Sequence, residues 1–452
     1  MPFFLRGTRN CAAAAICFLV LLVSLGAPRA VFCADETVSL GDLIAEGLRN
    51  SPEILASRAR AEAAGYHIPQ AKSLPDPMFT FGYQNEGFQA LTIGRTDNPT
   101  AMGMSSLSQQ FYFPGKRALK GEMATRDAES LAALYDAGKL RLVAQIKLLF
   151  YDLFLTYKTL DVLKDRSELF SRIEDAAQGR YASGTGMQQE VIMAQTEKYM
   201  ILEKEEMQRQ RMQALQGMLN TTVGRRVDAP LGRPLQPAPT PYGVTLEEML
   251  RMAADHSPEV RSKKKMVEGA EAKVKLARKE YYPDYAVGAS YFPRTMGLPD
   301  MWNLTITVNL PIYQKTKQRQ AEAEAEAGLS EARRELAATE LMLASNVRES
   351  FSMVQAADRL MKLYKEGLIP KTNQDVQLAF SSYVTGKVDA LTVITRIKNL
   401  LDYDLLYWSR LVEREKAIAK LHAFTGVEET ARRTPQADRG HGENGSLRGE
   451  AR

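Results

Sequence analysis

Few residues of this 452-residue chain have side chains that could catalyse a reaction or bind a metal ion. Its three cysteines, Cys11, Cys17 and Cys33, lie within the first 33 residues, which excludes a cysteine-based zinc site in the rest of the chain. The four histidines show no ligand spacing: His67, His256, His422 and His441. No catalytic triad spacing or phosphate loop is recognisable, and the 54 acidic residues form no informative pair. We therefore expect no enzyme, no cofactor and no metal site.

The 19 methionines are the remaining residues that could bind a metal, because thioethers favour soft ions such as copper(I). Met102 and Met104 lie close together, and Met187, Met193 and Met200 follow one another in a helical segment. Scattered methionines are typical of helix packing, and we interpret them in that way. The net charge of +5 is evenly spread and gives no indication of nucleic-acid binding.

The first 34 residues have the pattern of a secretory signal peptide. Arg6 and Arg9 precede an uncharged apolar run over 11–25, and small residues follow it. The run is shorter than the roughly 20 residues that a spanning helix needs. We expect cleavage near Cys33 or Ala34, with a lipid anchor on Cys33 as the alternative. No later segment has 18 consecutive apolar residues, so the mature chain either stays in an extracytoplasmic space or crosses a membrane as strands.

The rest of the chain contains an internal repeat. VSLGDLIAEGLRNSPEI at 38–54 matches VTLEEMLRMAADHSPEV at 244–260, at an offset of 206 residues. RYASGTGMQQEVI at 180–192 matches SYVTGKVDALTVI at 382–394, at an offset of 202 residues. Self-similarity of this kind indicates two tandem copies of one structural unit.

These matches divide the chain into segments. We predict a first repeat over 38–227, a Pro-rich linker over 228–243 and a second repeat over 244–425. The polar, Gly-rich segment 430–452 is expected to be a disordered tail.

The sequence of each repeat predicts a helix, a β-hairpin, a long helix, a turn and a shorter helix. The predicted fold is therefore mainly α with a small β part. The leading helices are expected over 39–73 and 245–281, and the long helices over about 116–178 and 315–380. At 1.5 Å per residue the long helices would each run about 95 Å. Helices of this length must pack side by side as coiled coils to bury their apolar stripes.

The hairpin strands are predicted at about 77–85 and 104–113 in the first repeat, and at 284–292 and 301–311 in the second. Their apolar residues alternate with polar ones, the pattern of a membrane-spanning barrel. The candidate lipid-facing residues are Phe79, Phe81, Tyr83, Tyr285, Val287, Trp302, Leu304, Ile306 and Val308. Four strands cannot close a barrel, which needs roughly eight, but three chains would supply twelve. The alternative is two hairpins in a periplasmic sheet.

This layout resembles the TolC family of outer-membrane efflux channels over residues 38–425. The motifs that carry the resemblance are NSPE at 50–53, HSPE at 256–259, the Tyr-x-x-Gly turns at Tyr181 and Tyr383, QFYFPGKR at 110–117 and NLPIYQKTKQR at 309–319. LPDPMFTFGYQNEG at 74–87 and FYFPGKR at 111–117 look most like the branch that exports heavy-metal cations.

The resemblance implies a homotrimer whose 12-stranded β-barrel, in the outer membrane of a Gram-negative cell, continues into a periplasmic α-helical barrel. It implies a passive exit duct for a periplasmic adaptor and an inner-membrane pump, of the RND type for the metal branch. Two alternatives remain open: the duct of a type I protein secretion system, and a periplasmic coiled-coil adaptor or structural protein. An adaptor should lack the lipid-facing hairpins.

The resemblance also implies that the two helix–turn–helix tips close the periplasmic entrance. The candidate gate residues in the turns are Tyr181, Gly184, Tyr383 and Gly386. Many relatives carry an acid six residues after the turn glycine, where this chain has Glu190 and Thr392. Asp389, one helical turn before Thr392, is the alternative acid in the second repeat. Three copies of Glu190 or Asp389 in a narrow pore would attract cations.

Overall fold

The computed structural model describes residues 37–84, 102–294 and 298–426. Within them the fold is mainly helical with one small antiparallel sheet, which confirms the predicted fold class at that level. The predicted signal peptide with Cys33, and the predicted tail over 430–452, lie outside the described residues.

The two repeats contain the same order of elements. The first consists of α1 (Leu40–Asn50), α2 (Pro52–Lys72), β1 (Met78–Gln84), β2 (Met102–Phe111), α3 (Lys116–Ala182) and α4 (Gln188–Val223). The second consists of α5 (Leu246–His256), α6 (Pro258–Lys279), β3 (Asp284–Phe292), β4 (Met301–Asn309), α7 (Gln318–Lys362), α8 (Ile369–Val384) and α9 (Ala390–Thr425). A π-helical turn over Leu363–Leu368 joins α7 to α8.

The leading helix of each repeat is broken where the sequence predicted one helical stretch. The breaks fall at Ser51 and Ser257, each directly before a proline. A residue before proline is pushed out of the helical region by the pyrrolidine ring, and Ser51 accordingly has φ −61° and ψ 121°. Each proline then begins the next helix, where its missing N–H would have had no partner.

The long helix of the second repeat also differs from the prediction of one continuous helix over 315–380. In the first repeat α3 runs unbroken for 67 residues, whereas the second repeat has the π-helical turn between α7 and α8. Pro370, at the start of α8, explains the position of this irregularity. Proline lacks an N–H and crowds the carbonyl four residues earlier, and an i→i+5 turn accommodates both effects.

The four strands form one antiparallel sheet in the order β1-β2-β3-β4. One row of directly opposed residues runs Phe79–Leu107–Ala289–Leu304 across the sheet. Opposed residues of an antiparallel pair point to the same side. The register therefore places all nine candidate lipid-facing residues on one face, and Trp302 on that face is 77% exposed.

The strand ends shift slightly from the prediction. β2 covers Met102–Phe111 instead of 104–113, and β4 ends at Asn309 instead of 311. Pro311 has no N–H to donate to a strand ladder. Beyond the end of β2, the N–H of Phe113 donates to Oδ1 of Asp284 at 2.7 Å instead of to a neighbouring strand.

The helices bury three large apolar clusters along their length. The first lies near the two helix–turn–helix turns, between α3, α4, α8 and α9, and includes Phe170 and Ile397. The second packs α1 and α3 together around Ile146, and the third packs α5, α7 and α9 around Val347. Lateral packing thus buries the apolar stripes as the helix lengths predict. Across the described part of the chain, none of the helices combines the length and the apolar character required to span a bilayer.

Candidate functional site

The two helix–turn–helix tips have matching backbone geometry. Gly184 has φ 73° and Gly386 has φ 75°, a conformation that favours glycine. The N–H of Gly184 donates to the carbonyl of Tyr181 at 3.0 Å, and the N–H of Gly386 donates to the carbonyl of Tyr383 at 2.9 Å. Both chain reversals predicted from the Tyr-x-x-Gly motif therefore form in the same way.

Tyr383 connects the tip of the second repeat to the tip of the first. Its side chain is fully buried, and its hydroxyl donates to Oε2 of Glu190 at 3.0 Å. The Arg180 guanidinium lies 4.6 Å from the centre of the Tyr383 ring and donates to the Tyr383 carbonyl at 2.7 Å. The ring is thus held between a cation and a carboxylate of the other repeat.

Burial raises the pKa of Tyr383 to about 12, and its hydrogen bond to Glu190 acts in the same direction. The nearby Arg180 opposes this rise. The hydroxyl therefore stays protonated at neutral pH and acts as the donor to the Glu190 carboxylate.

Tyr181, the counterpart of Tyr383 in the first repeat, is in a different environment. Its side chain is 51% exposed, against 0% for Tyr383. Tyr383 packs against Arg180 and Glu190 of the first repeat of its own chain, which accounts for its burial. The tyrosine of the same Tyr-x-x-Gly motif is thus exposed in the first repeat and buried in the second.

Asp389 and Thr392 are tied to each other at the start of α9. Oδ1 of Asp389 accepts from the Thr392 N–H at 3.0 Å and from the Thr392 hydroxyl at 2.5 Å. These hydrogen bonds lower the pKa of Asp389. The carboxylate is therefore an N-cap that is charged at neutral pH and exposed at the tip. Met187 holds the equivalent position at the start of α4 and gives no side-chain cap.

Ion pairs support the contact between the repeats above the tips. Lys398 on α9 pairs with Glu197 on α4 at 3.0 Å, and Arg166 on α3 pairs with Asp404 on α9. The sequence reasoning missed Arg180 and these pairs, because their partners are about 200 residues apart and belong to different repeats. The only signal was the occurrence of charged residues within otherwise apolar helix faces.

At the opposite end of the long helices, Lys116 joins the two repeats beneath the sheet. Its side chain is buried, and its Nζ contacts Oδ1 of Asp284 at 3.0 Å and Oε2 of Glu280 at 3.2 Å. It also donates to the Tyr282 carbonyl at 2.9 Å, and the Phe113 and Tyr282 rings stack at 4.5 Å. The FPGK motif therefore supplies the junction between the sheet and the helices.

Histidine, cysteine and carboxylate side chains do not converge into a metal site in the part of the chain that is described. Residues 37–84, 102–294 and 298–426 contain no group of three or more His, Cys, Asp or Glu that could hold a metal ion. Met102 and Met104 lie on the face of the sheet opposite to the aromatic face, since Met104 is opposed to Gly82.

Comparison with known proteins identifies relatives across most of the chain. A family profile described as outer membrane efflux protein matches residues 43–224 and 249–396. The cobalt-zinc-cadmium resistance protein CzcC of Cupriavidus metallidurans is 20% identical over 366 residues, covering 79% of this chain and 83% of CzcC.

Solved structures show the same fold. The outer membrane protein VceC of Vibrio cholerae superposes with a TM-score of 0.73 at 18% identity, covering 86% of this chain and 96% of VceC. CusC, whose structures describe transmembrane channel formation, superposes with a TM-score of 0.73 at 14% identity and covers 85% of this chain and 91% of its own.

Proposed function

The chain belongs to the outer membrane efflux protein family, and we propose that it is the outer-membrane exit duct of a tripartite efflux pump. It would act as a passive conduit that performs no chemistry. An inner-membrane transporter would supply the energy, and a periplasmic adaptor would join the two. The observation that carries this proposal is the four-stranded sheet with one exposed apolar face, attached directly to helices of up to 67 residues.

The edges of that sheet support the proposal of a trimer. β1 and β4 each pair with one strand only within the described residues, so each leaves one edge with unpaired backbone groups. Backbone groups inside a bilayer must all be paired, which only a closed barrel achieves for strands. We propose that β1 of one chain pairs with β4 of the next, and that three chains close a 12-stranded barrel with Phe79, Trp302 and Ile306 towards lipid.

The repeat supports a specific arrangement at the periplasmic entrance. Tyr383 packs against Arg180 and Glu190 of the first repeat. At the repeat offset of 202 residues, Tyr181 corresponds to Tyr383, and Ser382 and Thr392 correspond to Arg180 and Glu190. The same contact made between neighbouring chains would therefore place the exposed Tyr181 against Ser382 and Thr392. Contacts within a chain would then be charged and contacts between chains uncharged, around a gate formed by six tips.

Heavy-metal cations are the proposed cargo, exported by an RND-type pump. The support is the segment 74–87 and the likeness to CzcC, whose name states cobalt, zinc and cadmium resistance. Exposed acids at the tips, such as Asp389, would raise the local cation concentration at the entrance.

A deletion strain and planar bilayers together test the proposal. Purified full-length protein in detergent should form conducting channels, and deletion of its gene should lower resistance to cobalt, zinc or cadmium. Absence of conductance would contradict the duct and favour an adaptor. Conductance with unchanged metal resistance and loss of a secreted protein would instead favour the type I secretion duct.

A further inference from the structure

The charge pattern changes abruptly where β4 runs into α7. Residues 301–314 contain no charged side chain, and Lys315, Lys317 and Arg319 then follow within five residues. We call the segment Leu310–Arg319 the basic collar. It lies at the end of the sheet that is attached to the helices.

The apolar part of the collar continues the exposed face of the sheet. Leu310, Ile312 and Tyr313 are 66%, 72% and 69% exposed, values close to those of the lipid-facing candidates in β4. Leu310 also keeps the alternation of Trp302 through Val308. Aliphatic and aromatic residues at this position are typical of the boundary between hydrocarbon and headgroups.

Backbone hydrogen bonds hold the collar in a compact shape. The N–H of Ile312 donates to the Leu310 carbonyl at 2.9 Å, and the N–H of Lys317 donates to the Tyr313 carbonyl at 3.0 Å. The N–H of Arg319 donates to the Gln314 carbonyl at 2.9 Å. The three basic side chains are therefore presented by a folded segment directly beside Ile312 and Tyr313.

The collar bases lack the acidic partners that other bases of the second repeat have. Arg278 pairs with Glu322 at 2.9 Å, and Lys263 pairs with Glu335 at 2.7 Å. By contrast, no ion pair links Lys315, Lys317 or Arg319 to an acid among the described residues, and all three are exposed. The first turn of α7 contains no acid either.

We propose that the basic collar binds the phosphate groups of anionic phospholipids in the membrane leaflet that faces the periplasm. The inference rests on the proposed outer-membrane function. A nine-residue strand is about 30 Å long and spans about 23 Å when tilted by about 40°, close to the roughly 25 Å apolar band of such barrels. With β4 in that band, the collar lies in the headgroup layer.

The chemistry of the collar matches this ligand. Lysine and arginine stems lie along apolar surface while their charged ends reach the headgroups. Basic residues next to an anionic lipid surface each strengthen binding severalfold, and salt weakens that attraction. Three chains would place nine such bases around the barrel.

Quenching by brominated lipids tests the proposal on the full-length protein. The reporter carries Trp302→Phe and Tyr313→Trp, so the only other tryptophan is Trp408, which packs against the helical core. The protein is placed in phosphatidylcholine vesicles containing brominated phosphatidylglycerol or brominated phosphatidylcholine. We expect about tenfold stronger association of phosphatidylglycerol at the reporter, falling as NaCl rises from 50 to 500 mM.

The collar variant carries Lys315→Gln, Lys317→Gln and Arg319→Gln. It should associate about equally with phosphatidylglycerol and phosphatidylcholine. The matched control removes the same charge from exposed positions near the π-helical turn, through Lys362→Gln, Lys365→Gln and Lys371→Gln, and should keep the preference. If the collar variant does not fold, the loss of the phosphatidylglycerol preference at high NaCl in the reporter protein tests whether the attraction at the collar is electrostatic.

Three results would overturn the inference: equal association of both lipids, an unchanged preference in the collar variant, or no quenching by either lipid. The last result would mean that a neighbouring copy covers the collar. Channel conductance measured on the same vesicles distinguishes a failure of this inference from a failure of the proposed function. Conductance without lipid preference removes only this inference, whereas loss of conductance in the reporter protein removes the proposed function as well.

Discussion

The hydroxyl of Tyr383 donates to Oε2 of Glu190 at 3.0 Å, although the two residues lie in different repeats, 193 positions apart. The bond links the start of α4 to the end of α8 at the tip of the molecule. A movement that separates the two helix pairs must break this bond and withdraw the Tyr383 ring from Arg180. The contact therefore stabilises the tip conformation seen here.

Replacing Tyr383 by phenylalanine should loosen the tips. Tyr383→Phe keeps the ring beside Arg180 but removes a hydrogen bond to a charged group, worth about 1.5–3 kcal/mol per chain. Single-channel conductance and the fraction of time spent open in planar bilayers should increase. Tyr181→Phe is the control, since Tyr181 is exposed. Equal effects of the two variants would contradict a special role for the buried tyrosine.

Removing the tip charges should lower cation selectivity. Glu190→Gln retains an acceptor for Tyr383, and Asp389→Asn retains a cap for Thr392, so the pair changes charge with little change in structure. We expect the reversal potential in a KCl gradient across a planar bilayer to move towards zero. Glu331→Gln with Asp255→Asn removes the same charge from exposed positions elsewhere. An unchanged reversal potential in the tip variant would exclude an acidic ring at the gate.

Loss of Lys116 should destabilise the junction between the sheet and the helices. Lys116→Met would leave Asp284 without its buried partner, and such a loss costs about 3–5 kcal/mol. The midpoint of unfolding in guanidinium, followed in detergent by tryptophan fluorescence, should fall clearly. Arg117→Met, at the exposed neighbouring position, should have a small effect. Similar midpoints for both variants would contradict the structural role of Lys116.

The cap at Asp389 should contribute stability that depends on pH. Asp389→Ala removes both bonds to Thr392 and should cost about 1 kcal/mol at pH 7, whereas Asp389→Asn should cost less. Because the folded state lowers the pKa of Asp389 from its ordinary 3.8, its ionic contribution is complete above that value and disappears as the pH falls through the lowered pKa. Hydrogen exchange of the first turn of α9 at pH 7 and at about pH 2.5 would measure this. A difference between wild type and Asp389→Ala that is equally large at both pH values would contradict ionisation of the cap.

Local patterns in the sequence predicted much of the fold, but not the contacts between repeats. Alternation predicted the shared face of Phe79 and Trp302, and the turn motif predicted Gly184 and Gly386, because both depend on neighbouring residues. The same motif could not distinguish the buried Tyr383 from the exposed Tyr181, since burial depends on which helices meet.

Local geometry in the structure also explains two details that the patterns alone did not give. The resemblance implies Asp389 as an alternative pore acid, whereas its capping bond to Thr392 depends on the exact start of α9 at Ala390, which composition does not specify. The π-helical turn was missed because residues 363–368 keep helical composition, and only Pro370 marked the irregularity.

The π-helical turn has a consequence for the symmetry of the pore mouth. Gln318 and Gly386 are separated by the same number of residues as Lys116 and Gly184, but an i→i+5 turn holds more residues per turn than an α-helix. The π-helical turn therefore interrupts the regular helix in the second repeat, whereas α3 of the first repeat is continuous over the matching length. The two helix pairs of one chain are thus not exact copies of each other, and a partner that contacts both tips would meet two different surfaces.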